Sequence, residues 1–142
     1  MNREAVKKAG FPLREFFISG GDSEYSKRLS NFSGICLIPA SKTCHLDNIS
    51  IEERSVFGIK IRKTPLKRLW LSYYGIRNEI FLCKKYLNFY LRVRYIVLHI
   101  IMRWLFTIIF YEKHKLVRIK ILIRAVRDGL KGRLGKTLEP EK

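Results

Sequence analysis

Phe16-Phe17-Ile18-Ser19-Gly20-Gly21-Asp22-Ser23-Glu24-Tyr25-Ser26-Lys27-Arg28-Leu29 is the stretch on which the fold reading turns. Its first three residues are apolar and read as a short buried strand. Gly20 and Gly21 let the backbone turn sharply, because glycine enters positive φ at low cost. From Asp22 the period changes. Tyr25, Leu29 and Phe32 recur every three or four residues, so an amphipathic helix starts there. Asp22 then stands on a tight turn at the mouth of a packed element, a place where rigid scaffolds hold catalytic carboxylates. The plainer alternative is a helix cap, with Asp22 accepting a hydrogen bond from the backbone N–H of Glu24 or Tyr25.

Working outward, Ile35-Cys36-Leu37-Ile38-Pro39 reads as a second short strand, followed by Ala40-Ser41-Lys42-Thr43-Cys44-His45. His45 comes 23 residues after Asp22. Farther on stands Trp70-Leu71-Ser72-Tyr73-Tyr74-Gly75-Ile76-Arg77-Asn78, and near the end Ala125-Val126-Arg127-Asp128-Gly129-Leu130-Lys131-Gly132-Arg133-Leu134-Gly135-Lys136. Taken in this order, the four stretches resemble the later part of family 2 glycosyltransferases, nearest to the bacterial rhamnosyl- and galactofuranosyltransferase-like enzymes. Phe16, Phe17, Ile18, Asp22, Glu24, Tyr25, Ser26 and Arg28, then Ile38, Pro39 and His45, follow that family's aromatic strand, acidic turn, second strand and histidine. The Tyr73-Tyr74 and Arg77-Asn78 pairs look like its "YY-x-x-RN" helix. The glycine-rich tail resembles its ending.

The resemblance implies a fold, a reaction and roles. The expected fold class is α+β: a partial GT-A catalytic domain of short strands plus a helix over residues 1–58, then a mostly helical, basic, amphipathic region over 59–142. The implied reaction is inverting transfer of a sugar from a nucleotide-sugar donor to a glycan or lipid-linked acceptor. Asp22 is implied as the catalytic base, Glu24 and Arg77 as acceptor-binding residues and His45 as a metal ligand. The implied cofactor is a divalent ion, Mg²⁺ or Mn²⁺. A base within hydrogen-bond reach of a hydroxyl contributes ~10²–10⁴-fold, and a Lewis-acidic metal on the leaving phosphates several kcal/mol. The sequence departs from the family at Gly21, where an acid usually stands. It carries no Asp-x-Asp, no Gly-rich dinucleotide fingerprint and no P-loop. One histidine does not make a catalytic metal site, which takes two or three protein ligands. The chain is therefore expected to be the C-terminal portion of such an enzyme, inactive by itself and holding no metal alone. Arg77 also admits a plainer role, as a solvated base or a partner of Glu79 or Glu24.

Charge divides the 142 residues unevenly. Through Gly58 there are 8 Lys and Arg against 7 Asp and Glu; from Ile59 onward there are 21 against 5. The basic part reads as helices. Leu66, Leu69, Trp70, Tyr73, Ile76, Ile80, Cys83, Leu87 and Tyr90 repeat at helical spacing, with Pro65 near the start where proline is tolerated. A last helix, about Leu116 to Leu130, ends at Gly132 and Gly135 with bases in its final turns.

Between them, a helical run from about Leu91 to Tyr111 is the most apolar part of the chain, and its apolar core, Tyr95 to Phe110, is 16 residues. At ~1.5 Å per residue it spans ~24 Å, short of a ~30 Å hydrocarbon core. Arg103 near its centre adds an insertion cost of ~2.5–3.5 kcal/mol. Bases flank it on both sides, which favours a helix lying in an anionic membrane surface over one that spans. A buried hairpin helix is the alternative. The expected location is cytoplasmic, peripheral at the inner face of the cell membrane. A net charge of +17 would also suit nucleic acid. The aromatic residues, however, follow helical apolar spacing and do not line a stacking platform, so specific nucleic-acid binding is not expected. Three cysteines with no metal spacing fit a reducing compartment.

Overall fold

The longest periodic stretch forms the centre of the fold. Leu69, Tyr73, Ile76, Ile80 and Cys83 fall four, three, four and three residues apart, and all are buried on one side of the helix Leu69–Tyr86, α3. A 3₁₀ turn, Leu66–Arg68, leads into it directly after Pro65. In this computed structural model, residues 3–32, 34–36, 38–42, 44, 52–56, 59–111 and 113–139 are described. In chain order the remaining elements are α1 (Arg3–Ala9), α2 (Gly21–Leu29), strands β1 (Glu52–Val56) and β2 (Ile59–Lys63), α4 (Phe89–Tyr95), α5 (Arg103–Tyr111) and α6 (Lys115–Lys131).

The α3 helix packs lengthwise on α6, whose buried positions Arg118, Leu122, Ala125, Asp128 and Gly129 keep helical spacing. Gly129 permits the close crossing. A Cβ there would lie 2.7 Å from the Arg77 carbonyl oxygen and 2.9 Å from Ile80 Cβ. Beyond Lys131, Gly132 takes φ 69°, and the Arg133 N–H donates to the Asp128 carbonyl at 2.9 Å, a Schellman-type ending that turns the tail back over α3.

The α+β expectation is overturned: the described residues are predominantly helical, and no GT-A sheet is present among them. Phe16–Ile18 is not a strand. A 3₁₀ turn, Arg14–Phe16, leads into a tight γ-turn at Phe17 (φ 57°, ψ −66°), closed by the Ile18 N–H on the Phe16 carbonyl at 2.6 Å. Ile35, Cys36 and Ile38 are exposed and irregular, with a turn at Ile38–Ser41. A short apolar run fits a packed turn as well as a strand, and neither run finds a neighbouring strand here. The β structure among the described residues is the antiparallel hairpin β1–β2, with Val56 opposite Ile59 and Glu52 opposite Lys63. The expected division between residues 58 and 59 falls inside that hairpin.

The apolar helix begins at Phe89, two residues before the expected start at Leu91, and ends at Tyr111 as expected. α4, a π-helical stretch Ile96–Met102 and α5 join into one continuous helix, started by the Asn88 side chain accepting from the Leu91 N–H at 2.9 Å. Its 22 residues from Phe89 to Phe110 include an 18-residue window with a mean hydropathy of 1.7, long and apolar enough to cross a membrane by length and composition. Ile96, Ile100 and Ile108 turn inward onto the α3–α6 core. Phe89, Tyr90, Val97, Met102, Ile109 and Phe110 stay exposed.

Candidate functional site

Asp22 lies in the first turn of α2, exposed. It is not the cap: Gly20 holds that position, with φ 77° and no side-chain cap bond. A carboxylate in a helix's first turn faces the positive end of the backbone dipoles, worth roughly 0.3–1 kcal/mol. The turn that presents Asp22 contains three departures from ordinary backbone within four residues: Phe17 (φ 57°), Ser19 (φ 66°) and Gly20 (φ 77°) flank Ile18. Non-glycine residues at positive φ cost of order 1–3 kcal/mol each and need external support.

Asn78 supplies that support. Its side-chain amide donates to the carbonyls of Phe16 at 3.0 Å, Ile18 at 2.8 Å and Ser19 at 2.7 Å. The neighbouring Arg77 Nε donates to Asn78 Oδ1 at 2.9 Å, which fixes the amide orientation. Phe16 is buried, with its ring 5.8 Å from Phe81, and Phe17 lies 5.1 Å from Tyr74. The turn is therefore braced by α3 through both polar and aromatic contacts.

Glu24, expected to face an acceptor, is fully buried. Its carboxylate accepts from Arg28 Nε at 2.9 Å, Lys85 Nζ at 2.7 Å and the Tyr86 hydroxyl at 3.1 Å. Burial pushes this carboxyl up, but the bonds from Lys85, Arg28 and Tyr86 together outweigh it and hold the group below its ordinary range. The same bond to Glu24 raises the Lys85 ammonium. Arg28 also donates to the carbonyls of Ala9 and Phe11, so one guanidinium ties α1, the following loop and α2 together. The amphipathic pattern of α2 is thus the reverse of a simple apolar stripe: Phe32 is half exposed, and the inward group is a carboxylate.

Arg77, the second expected acceptor ligand, is also fully buried. Its Nη1 donates to the Gly135 carbonyl at 2.7 Å and to Thr137 Oγ1 at 3.1 Å. Nη2 has no hydrogen-bond partner among the described residues. The guanidinium lies over the Tyr74 ring at 4.7 Å and near the Tyr73 ring at 5.6 Å, and a desolvated cation–π contact of ~2 kcal/mol offsets much of that unsatisfied donor. The Tyr73 hydroxyl donates to Asp128 at 2.7 Å; burial raises its pKa. The Tyr74 hydroxyl donates to the Leu138 carbonyl at 2.8 Å and accepts from the N–H groups of Thr137 and Leu138. The tail closes on the first turn as well, where the Gly135 N–H donates to the Glu15 carbonyl at 2.6 Å.

Three stretches far apart in sequence thus meet: the turn at 15–24, the Tyr73–Asn78 segment of α3 and the tail from Asp128 to Leu138. Asn78, Tyr73, Tyr74, Lys85, Asp128 and Thr137 carry the junction; Tyr73, Tyr74, Asn78 and Asp128 stand in the resembling motifs but were given no site role from sequence, and Lys85 and Thr137 gave no signal. The signal was present in the four-residue spacing of Tyr73 with Arg77 and of Tyr74 with Asn78, which puts each pair on one face of a helix.

His45, the implied metal ligand, lies outside the described residues. Among the described residues no three His, Cys, Asp or Glu side chains come together, and Glu15 and Asp22 are the exposed acids of the 15–24 turn. The described residues do not fit a bound divalent ion. No protein-family model, no curated protein and no solved structure matches this chain.

Proposed function

We propose that the chain is the membrane-facing C-terminal part of an inverting glycosyltransferase that moves a sugar from a nucleotide-sugar donor to a glycan or lipid-linked acceptor. The observation that carries this reading is the junction of three of the four stretches on which the resemblance rests. Unrelated matches scattered along a chain have no reason to touch, whereas here Glu15 meets Gly135, Arg77 meets Gly135 and Asn78 holds Phe16, Ile18 and Ser19. In this reading Asp22 takes the proton of the acceptor hydroxyl. The oxygen bonds to the anomeric carbon, the bond from that carbon to the donor phosphate breaks, and the nucleoside diphosphate leaves with the electron pair. Glu24 and Arg77, both buried and bonded to other parts of the protein, act as positioning residues: Glu24 fixes α2 and Arg77 fixes the tail.

The membrane assignment rests on the helix Phe89–Tyr111. One face packs on α3 and α6, and the opposite face leaves large apolar side chains in the open. A helix joined along its length to a polar, basic body lies in the interface more readily than through the bilayer. That exposed face also favours a second reading, a basic membrane-surface protein without catalysis.

The test joins the chain to the reading frame that precedes it and follows transfer of labelled sugar into lipid and glycan fractions. Asp22→Asn should lower turnover at least ~10²-fold while donor binding holds. Unchanged turnover removes Asp22 as the base. No transfer from any donor, with membrane binding intact, leaves the second reading.

A further inference from the structure

Two hollows adjoin on α6 and share one wall, formed by Ile123 and Arg127. On one side is an open basic hollow of ≈ 580 Å³, bordered by Lys120, Arg124, Arg127, Arg133 and Asp128, with Thr137 at its floor. On the other is an apolar groove of ≈ 530 Å³ between α6 and the long helix, lined by Ile101, Leu105, Ile119, Leu122, Val126 and Leu130, with Lys131 at its rim. Lys120, Arg124, Arg127 and Lys131 follow four, three and four residues apart, so they form one basic seam along α6 beside the apolar face.

The charges in the basic hollow are not cancelled from within. Asp128 is its single acid. That carboxylate accepts the Tyr73 hydroxyl at 2.7 Å and lies 3.8 Å from Arg124 and 4.0 Å from Arg133. Arg124 also donates to the Thr137 carbonyl at 2.9 Å. Lys120 and Arg127 are exposed and make no hydrogen bond or ion pair with the described residues. Four bases converge against one carboxylate that is already engaged. The arrangement matches an anion carrying more than one acceptor oxygen, because guanidinium groups present several donors in a planar fork. The groove next to it is long, apolar and open. It runs beside the helix whose outer face is itself apolar and exposed.

We propose that α6 holds a single anionic phospholipid drawn from the bilayer. Its phosphate sits among Lys120, Arg124, Arg127 and Arg133, and an acyl chain lies in the groove between α6 and the Phe89–Tyr111 helix. The occupant follows from the junction of the two hollows: a free phosphate leaves the groove empty, and an uncharged lipid leaves the bases unmatched. The inference rests on the membrane part of the function proposed above and is independent of sugar transfer.

The test is native mass spectrometry of the full chain released from nonionic detergent. The probe is an equal mixture of phosphatidylglycerol and phosphatidylcholine. One phosphatidylglycerol should be retained per chain in preference to phosphatidylcholine. Lys120→Gln with Arg127→Gln should lower retention by about tenfold or more, while Lys7→Gln with Lys8→Gln, on exposed α1 positions, should leave it unchanged. Ile123→Gln with Leu130→Gln, both exposed in the free protein, should lower retention with the bases intact. Equal loss from the α1 and α6 charge pairs, equal retention of the two lipids, or displacement by equimolar inorganic phosphate would overturn the site. Flotation with phosphatidylglycerol vesicles in high salt reads the membrane assignment separately. A chain that stays with vesicles yet keeps no lipid one-to-one loses only the site, whereas a chain that fails to float loses the membrane reading.

Discussion

Replacing Gly129 by alanine should destabilise the protein by about 2 kcal/mol, although alanine is the better helix former. The figure follows from the crossing of α3 and α6. The new methyl group would stand 2.7 Å from the Arg77 carbonyl oxygen, and 2.9 and 3.0 Å from Ile80 Cβ and Cγ2. Unstrained carbon contacts lie at about 3.5–4.0 Å, so the helices must part by roughly half an ångström or more. None of these atoms sits at the end of a flexible side chain, and no rotamer change makes room. Parting the helices also stretches the Tyr73–Asp128 bond at 2.7 Å, and the tail contacts of Arg77 with it. Overpacking of this kind costs ~1–3 kcal/mol, and the upper end applies where backbone must move. The intrinsic helix gain of ~1 kcal/mol offsets part of it. For a chain of this size, about 3–4 °C of Tm accompany each kcal/mol, giving a drop of about 6–8 °C by far-UV circular dichroism in nonionic detergent. Gly75→Ala is the matched comparison. It lies within α3, its Cβ would meet only Ser19 Oγ at an ordinary 3.7 Å, and it should gain up to ~1 kcal/mol. If both variants gain stability, the close crossing at Gly129 is wrong.

Further outcomes follow from the bonds of α3. Asn78→Ala removes the amide that serves three carbonyls, should cost ~2–3 kcal/mol, and should open the 16–20 turn to limited proteolysis; a turn as protected as before would show that the bracing lies elsewhere. Tyr73→Phe strips one hydrogen bond from buried Asp128 and should cost ~1.5–3 kcal/mol in chemical denaturation, with no loss expected only if the tail is undocked in solution. Glu24 gives a signed pH effect. Its carboxyl is held low in the folded state, so its stabilising contribution is complete above the ordinary glutamate range near ~4.3 and is lost as pH falls through the lower folded value. Glu24→Gln should therefore flatten the acid side of the Tm-versus-pH curve and lower Tm at neutral pH, because Lys85 and Arg28 lose their shared partner. Curves that stay parallel down to strong acid would contradict the assignment.

The basic half of the fold was legible because its code is periodic. Leu69, Tyr73, Ile76, Ile80 and Cys83 announce one buried helical face, and the Gly132 stop lies where the sequence puts it. The apolar helix was also legible, with its start expected at Leu91, two residues late: Phe89–Val93 carries exposed aromatic and basic residues that blur its start, and Arg92 and Arg94 interrupt the hydropathy. The N-terminal part misled for a physical reason. Phe16-Phe17-Ile18 has strand composition, but its conformation is set by Asn78, about 60 residues away, and by an aromatic contact with Tyr74. No local reading contains that partner. Glu24 misled in the same way: a carboxylate looks solvent-facing until Lys85 and Tyr86 arrive to bury it. β1 and β2 fell in a stretch read as a boundary, because Glu52-Glu53-Arg54 and Lys60, Arg62 and Lys63 are too charged to suggest a sheet.

The tail's grip on α3 has a consequence for biogenesis. Translation delivers Tyr73, Tyr74 and Arg77 more than fifty residues before Asp128, Gly135 and Leu138, their partners in the folded protein. Until those residues are made, the phenols and the guanidinium lack their final acceptors. The interior can therefore lock only at the end of synthesis, so that a chain cut ahead of residue 128 should remain protease-sensitive.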